Sequence, residues 1–383
     1  MPIFLIKEPV FAASLSNELQ ALEKVTDVLF TIEKFFHKEV DLKKCVEATL
    51  QRGISECLDP FSQYLTKEEA ASREEEISGH LSGGIGIRLM GRRTKEHNEI
   101  IIVAVLKNTP AEKTGLKPGD VIVAISSTSK KENQISAHGL AMNEVVKLIR
   151  GEIGTEVLLI ISRENEIKEF TLARADIKLV TVEYKMLDSQ AGYLQIIEFG
   201  SETGDDFQAA VSSLSASGMK VMVLDLRNNP GGLLRSVLNI NSLFAKDGAS
   251  LLYTAGRNDL PHQYVPNDDK IGQYKNLKVV VLINEYSASA AEIMAGWLKN
   301  DCGAPLIGKK TFGKGSVQIN IELNDGSVLH LTVAEYFVGK DRIKVHEIGI
   351  SPTIELENPK SVKSEADDLQ LKRALEEANK LIR

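Results

Sequence analysis

Few residues in this chain are available for disulfides, metal clusters or a bilayer. Three cysteines among 383 residues (Cys45, Cys57 and Cys302) are too few and too scattered for a disulfide framework or a zinc site. On number alone a Cys45–Cys57 bridge stays open, but buried free thiols are the expectation. The 7 histidines are spread out, with no H-x-x-x-H pair and no Cys/His cluster, so no metal and no cofactor is expected. No apolar run reaches the roughly 20 residues that span a bilayer. Basic residues are in deficit, 46 Lys and Arg against 53 Asp and Glu, and the net charge of -7 argues against a nucleic-acid binder. Repeats and low-complexity tracts are absent too.

What is present is the composition of a globular protein, 43% hydrophobic and 26% charged. At roughly 100–200 residues per domain, the length implies two or three domains. The opening stretch "MPIFLIKEPVFAAS" is apolar and ends in small residues, as a cleavage site does. It lacks a basic n-region and is interrupted by Lys7, Glu8 and Pro9, so it makes a poor signal peptide.

The texture changes along the chain. Residues 1–76 read as a helical region, with Leu22, Val25, Leu29, Ile32 and Phe36 on one stripe and Asp41 placed to cap a second helix. "LDPFSQYL" (58–65) breaks that pattern at Pro60, and the acidic "TKEEAASREEE" reads as an exposed linker. Residues 77–173 carry short strands ("GIGIRLM", "EIIIVAVL", "DVIVAISS", "EVLLIISR", "EIKEFTLA") with helical pieces at "PAEKTG" and "AMNEVVKLIRG", a small and mostly β domain. From 174 to 358 strands and helices alternate, which indicates an α/β layer with parallel strands. The pair "SVQINIEL" and "SVLHLTVAEYFV", joined through "NDG", reads as a hairpin. Residues 359–383 end in an amphipathic helix with Leu371, Leu375, Ala378 and Ile382 on one stripe. The fold class is therefore α/β (α+β, multidomain): an α/β core with an inserted small β domain and helices at both ends.

Four stretches carry chemistry. "NEYSASAAEIMAGWLKN" (284–300) places Ser289 where a helix begins, and Ser289 with Glu292 fits an S-x-x-E capping box. The same position suits a nucleophile, because helix N-termini favour developing negative charge. Ser287 and Ser316 compete for that role on pattern alone. "GKKTFGKGSVQ" (308–318) falls one residue short of a phosphate-binding loop, since Gly315 follows Lys314 and a strand pattern follows both. Lys314 could instead serve as a general base if its amine were neutral. That requires its affinity for a proton to drop by about 4 kcal/mol. If the segment is extended, Gln318 shares a face with Lys314 and could orient the amine. "LDLRNNPGG" (224–232) offers Gly231 or Gly232 as a backbone donor to an oxyanion, alongside the N–H of Ser289. An ordinary tight turn explains those glycines equally well. Finally, "SGGIGIRL" (82–89) sets Gly84, Ile85, Gly86 and Ile87 where backbone N–H groups could gather around the carboxylate of an extended peptide.

Together these stretches resemble a known family. "NTPAEKTGLKPGDVIVAI" with "GGIGI" and "MNEVVKLIRG" is similar to a PDZ domain of bacterial proteases. "LDLRNNPGG", "SASAAEI" and "GKKTFGKGSVQ", in that order, resemble the carboxyl-terminal processing (tail-specific) proteases, and the likeness runs from about residue 20 to 357. The resemblance implies a serine endopeptidase independent of ATP and metal, with Ser289 as nucleophile, Lys314 as base and Gln318 as helper. It also implies that Ser287 and Ser316 do not compete, that protein or peptide substrates with apolar C-terminal tails enter through the PDZ domain, and that the protein works in the periplasm or elsewhere outside the cytoplasm. Arg150, at the end of "MNEVVKLIRG", is a candidate for coupling peptide occupancy to the core, although a surface arginine at a helix end is the plainer reading. The terminal helices are expected to serve either core packing or a homodimer, and an adaptor protein is a further partner to consider. The competing hypothesis is a catalytically inactive PDZ-containing scaffold that binds peptides without cleaving them.

Overall fold

The computed structural model describes residues 15–36, 39–78, 80–93, 98–138, 140, 142–164, 166–257, 262–266, 271–359 and 367–382. The opening stretch read above as a poor signal peptide lies outside them. The chain begins with α1 (Leu15–Phe35), α2 (Leu42–Cys57), β1 (Gln63–Leu65) and α3 (Lys67–Ser78). A strand-rich region follows: β2 (His80–Gly84), β3 (Ile87–Arg93), β4 (Asn98–Val105), α4 (Pro110–Thr114), β5 (Val121–Ser126), β6 (Ile135–Ser136), α5 (Met142–Ile149), β7 (Glu156–Arg163), β8 (Glu166–Ala173) and β9 (Ala175–Lys178). Then come β10 (Val182–Met186), β11 (Ala191–Ile196), α6 (Thr203–Ala216), β12 (Val221–Asp225), α7 (Leu234–Phe244), β13 (Leu252–Gly256), β14 (His262–Tyr264), β15 (Lys278–Ile283) and α8 (Ala290–Cys302). The chain closes with β16 (Leu306–Gly308), β17 (Ser316–Glu322), β18 (Val328–Val338), β19 (Ile343–Lys344), β20 (Ile354–Glu355) and α9 (Leu369–Leu381).

Two compact units result. The smaller gathers the chain up to Ser72 with Thr254–His262 and Ser316–Tyr336. In it Asp41 caps α2 as the sequence suggested, its carboxylate accepting from the Lys44 N–H at 3.2 Å. The acidic stretch read as an exposed linker is a helix, and the boundary between the two units falls within it. Thr66 and Glu69 form a capping box, Glu69 accepting from the Thr66 N–H at 2.9 Å and Thr66 Oγ1 from the Glu69 N–H at 3.3 Å, which starts α3. The N-terminal stripe is covered only in part: Leu29 and Ile32 are half-buried, whereas Leu22, Val25 and Phe36 are all more than half exposed. β17 and β18 form the expected antiparallel hairpin, closed by the Leu323 N–H to Ser327 carbonyl bond, and β1 lies against β18.

The larger unit comprises Arg73–Tyr253, Gln263–Gly315 and Phe337–Arg383. Its first sheet is antiparallel, in the order β3-β4-β5-β7-β8, around a core that includes Ile85, Ile102, Ile125, Val145 and Leu159. β3 is a terminal strand of that sheet, so one of its edges has no partner strand among the described residues. Arg174, buried at the far end, donates to the carbonyls of Leu148, Ile149 and Glu156, closing the C-terminus of α5 without a carboxylate. The second sheet runs β10-β11-β12-β15-β16-β20 and is parallel from β11 onward. Every residue of β12 is buried, as expected of a parallel strand covered on both faces. Leu371, Ala374 and Ala378 of α9 cover one face through Val221, Val223, Val280 and Leu282.

The three cysteines are all free, so no Cys45–Cys57 bridge forms, and Cys57 and Cys302 are exposed rather than buried. Asp120 gives the β domain an acid-sensitive joint. Its carboxylate is almost fully buried and takes Arg163 Nε at 2.6 Å and Nη2 at 2.7 Å, with the Lys117 N–H at 2.8 Å. Burial raises the affinity of this group for a proton, but the hydrogen bonds and the guanidinium charge outweigh it and hold its pKa below the ordinary value. Its contribution to stability is present above the ordinary Asp range and lost as pH falls through the depressed pKa. Asp120→Asn should therefore destabilise the β domain by about 3 kcal/mol at neutral pH, and the gap to wild type should narrow below about pH 4. Thermal unfolding followed from pH 7 to pH 3 measures both effects.

Candidate active site

Ser289 follows β15 and precedes α8 with φ 55 and ψ -116, a conformation that non-glycine residues rarely adopt. Such strain persists only where the surroundings impose it, and a strained turn between a strand and a helix is the usual perch of an activated serine. Ser287 is different in kind. It is fully buried, and its hydroxyl donates to the Leu226 carbonyl at 2.8 Å and accepts from the Asn284 N–H at 2.9 Å, which makes it a structural tie. Ser316 is also buried, and its Oγ accepts from Gln318 Nε2 at 2.8 Å.

Glu292 organises the site. It has no exposed surface, and its two oxygens divide four donors between them. Oε1 accepts from Thr311 Oγ1 at 2.5 Å and the Gly313 N–H at 2.7 Å. Oε2 accepts from the Ser289 N–H at 2.9 Å and the Lys314 N–H at 2.8 Å. The backbones of Ser289 and Lys314 thus meet at a single oxygen atom. Burial pushes the carboxyl pKa up, and the hydrogen bonds from Thr311, Gly313, Ser289 and Lys314 only partly oppose that rise.

The "NNPGG" loop packs directly on Ser289. Gly231 (φ 104) leaves no room for a side chain, because a Cβ there would stand 2.7 Å from that of Ser289 and 3.0 Å from the Ala290 nitrogen. The Gly231 N–H is already used, donating to Asn229 Oδ1 at 2.8 Å. Phe199 brackets the two glycines, with its N–H on the Gly231 carbonyl and its carbonyl on the Leu233 N–H, so the Gly232 N–H takes no part in that bridge. The N–H of Ser289, expected to face an oxyanion, and that of Gly231, one of two glycines offered for the same role, are therefore engaged elsewhere. Ala290 was not anticipated. Its N–H opens α8, where the first turn has no intrahelical acceptor.

Gln318 lies in the smaller unit. Its Nε2 donates to Ser316 Oγ and, at 3.1 Å, to Thr332 Oγ1, which leaves the amide oxygen as its acceptor. Thr332 Oγ1 in turn donates to Asp59 Oδ1 at 3.2 Å, and Asp59 is fixed by the N–H groups of Phe61 and Ser62. "LDPFS" is thus part of the support for Gln318, a role that no local pattern signals. The simple alternation expected from Lys314 to Gln318 does not hold. β17 starts at Ser316, and a bulge between Val317 and Gln318 shifts the register.

In the β domain the glycine loop joins β2 to β3. Gly86 (φ 86) faces Thr109 so closely that a Cβ would overlap that side chain, and its carbonyl accepts from the Leu106 N–H. Ile85 is a core residue whose carbonyl accepts from the Ala111 N–H, so only its backbone belongs to the loop surface. Gly84 ends β2, and Ile87 opens β3 at the sheet edge. Arg150 pairs with Glu75 of α3 at 2.8 Å. Among the described residues no group of His, Cys, Asp and Glu is arranged to hold a metal ion, and no helix is long and apolar enough to cross a membrane.

Comparison with known proteins bears on this arrangement. Residues 190–356 match Peptidase family S41, and residues 83–173 match the PDZ domain. A CtpA-like serine protease of Staphylococcus aureus (strain COL) is 34% identical over 339 residues, covering 88% of this chain. A relative of the same name in Staphylococcus haemolyticus (strain JCSC1435) is 33% identical over 343 residues, covering 90% of this chain. The chain spans 65% and 66% of the length of these two relatives. Among solved structures, the photosystem II D1 C-terminal processing protease shares the fold with a TM-score of 0.50 and 24% identity, over 90% of this chain and 94% of that one. A Bacteroides fragilis protein assigned to the S41 proteases shares it with a TM-score of 0.54 and 18% identity, over 98% of this chain and 100% of that one. With its match to the PDZ domain ahead of its match to Peptidase family S41, the chain resembles the CtpA-like serine proteases.

Proposed function

We propose that this chain is a serine endopeptidase that takes protein or peptide tails by its PDZ domain and cleaves them with a Ser289–Lys314 dyad. The observation that carries the proposal is the shared Glu292 oxygen, which ties the strained serine and the lysine loop to one atom. Ser289 Oγ attacks the peptide carbonyl, and the neutral amine of Lys314 takes its proton and returns it to the leaving nitrogen. Water then hydrolyses the acyl-enzyme by the same route. Gln318 is given the helper role on the family likeness, with its amide oxygen as the acceptor, since both hydrogens of its nitrogen are already given to Ser316 and Thr332. The donors best suited to the oxyanion are the N–H groups of Gly232 and Ala290, rather than that of Ser289. The substrate tail is assigned to the open edge of β3, with its terminal carboxylate at Gly84–Ile87 and an apolar side chain favoured at the end. Work outside the cytoplasm follows from the family likeness, and the uncovered apolar residues of α1 suit a homodimer or an adaptor.

Ser289→Ala and Lys314→Ala should each lower turnover of an unstructured reporter with an apolar tail by about 10⁴-fold or more. Tail binding, read by fluorescence anisotropy, should be unchanged in both variants. Wild-type turnover in either variant removes the dyad, and a wild type that binds without cleaving establishes the inactive scaffold instead.

Glu292→Gln keeps the volume but turns an amide nitrogen toward groups that all donate. We expect kcat to fall by about 100-fold and the fold to lose about 2–3 kcal/mol. Steady-state kinetics and urea unfolding read the two effects separately.

A further inference from the structure

The C-terminal segment reaches the loop after β12 through Arg227. Arg227 follows β12, and its side chain is only 13% exposed. Asp225 takes its Nε at 3.0 Å and its Nη2 at 2.6 Å, and Asp225 is itself held by the Tyr193 hydroxyl at 2.8 Å. Nη1 is claimed from the far end of the chain, by Asp368 Oδ1 and Gln370 Oε1, both at 3.0 Å. Asn358 and Gln370 fix that second clamp: Asn358 Nδ2 donates to Asp368 at 2.9 Å, and Gln370 Nε2 donates to the Leu356 carbonyl at 2.7 Å.

Beyond Arg227 the backbone enters the loop against Ser289. Asn228 and Asn284 exchange two hydrogen bonds, backbone N–H to Oδ1 at 2.9 Å and Nδ2 to Oδ1 at 2.8 Å, which ties this loop to the one carrying the serine. The Asn229 carbonyl accepts from the Ala288 N–H, and Asn229 Oδ1 holds the Gly231 N–H. A displacement of Arg227 would therefore pass through two residues to the glycines and to Ser289. The clamp does more than docking α9 requires. Leu371, Ala374 and Ala378 already bury the apolar stripe of that helix on the sheet. The N-cap duty of Asp368, which accepts from the Leu371 N–H at 2.9 Å, could be met by a neutral asparagine. What a neutral residue cannot supply is the second negative charge on the guanidinium.

We propose that Asp368 and Gln370 are positioning residues: through Arg227 they fix the loop that packs Gly231 against Ser289, so that the C-terminal segment completes the catalytic site. This rests on the reading of Ser289 as nucleophile. The test uses the full chain, an unstructured fluorogenic reporter with an apolar tail, and the variants Asp368→Asn, Asp368→Asn with Gln370→Glu, and Ser289→Ala. Asp368→Asn keeps the cap and removes the charge. It should lower kcat by about 10- to 100-fold with KM within about twofold of wild type. The double variant returns a carboxylate to Arg227 Nη1 from position 370, and kcat should recover to within about threefold of wild type. Wild-type kcat in Asp368→Asn overturns the proposal. So does a loss that Gln370→Glu leaves unrelieved in a double variant whose unfolding midpoint matches that of the wild type. If the wild type itself cleaves no faster than Ser289→Ala, the nucleophile assignment fails, and that result is distinct from either of these.

Discussion

One desolvated carboxylate holds this site together. Taking an ionised Glu292 out of water is costly unless every lone pair it presents finds a donor, and here four donors from two segments meet the two oxygens. Because no water reaches the group, a donor that moved away could not be replaced, and the geometry is enforced by the penalty for breaking it. That penalty is laid on the Ser289 and Lys314 backbones together. One buried acid thus fixes both backbones at once.

The parallel sheet explains why these segments can reach one another at all. In a parallel layer the loops after successive strands emerge at the same edge, and that edge is where α/β proteins build their sites. β12, β15 and β16 are neighbours in the sheet, and they lead respectively into "RNNPGG", "NEYSAS" and "KKTFGKG". The loops are then cross-linked by backbone. The Ala288 N–H reaches the Asn229 carbonyl, the Phe312 N–H reaches the Ser287 carbonyl, and the Lys309 N–H reaches the Ile283 carbonyl. Ser287, rejected as a nucleophile, is one of the pins that set this spacing.

What could be read from the chain alone was whatever depends on short range. The apolar periods of α2, α6 and α8, the alternation in the strands of the β domain, and the N-D-G turn of the β17–β18 hairpin are local signals and appear as expected. The S-x-x-E pattern likewise foretold that Glu292 would reach back to the Ser289 N–H. It could not foretell that the same carboxylate would hold Thr311, Gly313 and Lys314, since those bonds depend on the crossover through β16. The chain from Asp59 through Thr332 to Gln318, and that from Asp368 to Arg227, join residues far apart in sequence and leave no periodic trace. The acidic run of α3 signals a linker, and the boundary between the units falls within it, whereas its helical start rests on the capping box at Thr66 and Glu69. The bulge at Gln318 spoiled an inference from strict alternation, which assumes a continuous ladder.

The strain at Ser289 and the bareness of Gly231 are two sides of one constraint. Holding a serine at φ 55 and ψ -116 costs about 1–3 kcal/mol, which must be recovered from neighbours that fit only that shape. Glu292 supplies one such fit through the Ser289 N–H, and the packing of Gly231 against the serine Cβ supplies the other. Any side chain at 231 would occupy the space of that Cβ and drive the serine toward an ordinary helical entry, so glycine is needed there for clearance. The two glycines differ in what their N–H groups do. Gly231 yields the space while its own N–H is consumed by Asn229, and Gly232 keeps an N–H that the Phe199 bridge does not use. Both glycines of "NPGG" therefore lack a side chain for want of room, Gly231 against the Ser289 Cβ and Gly232 (φ 136) against the Phe199 backbone, whose carbonyl oxygen a Cβ would approach to 2.3 Å.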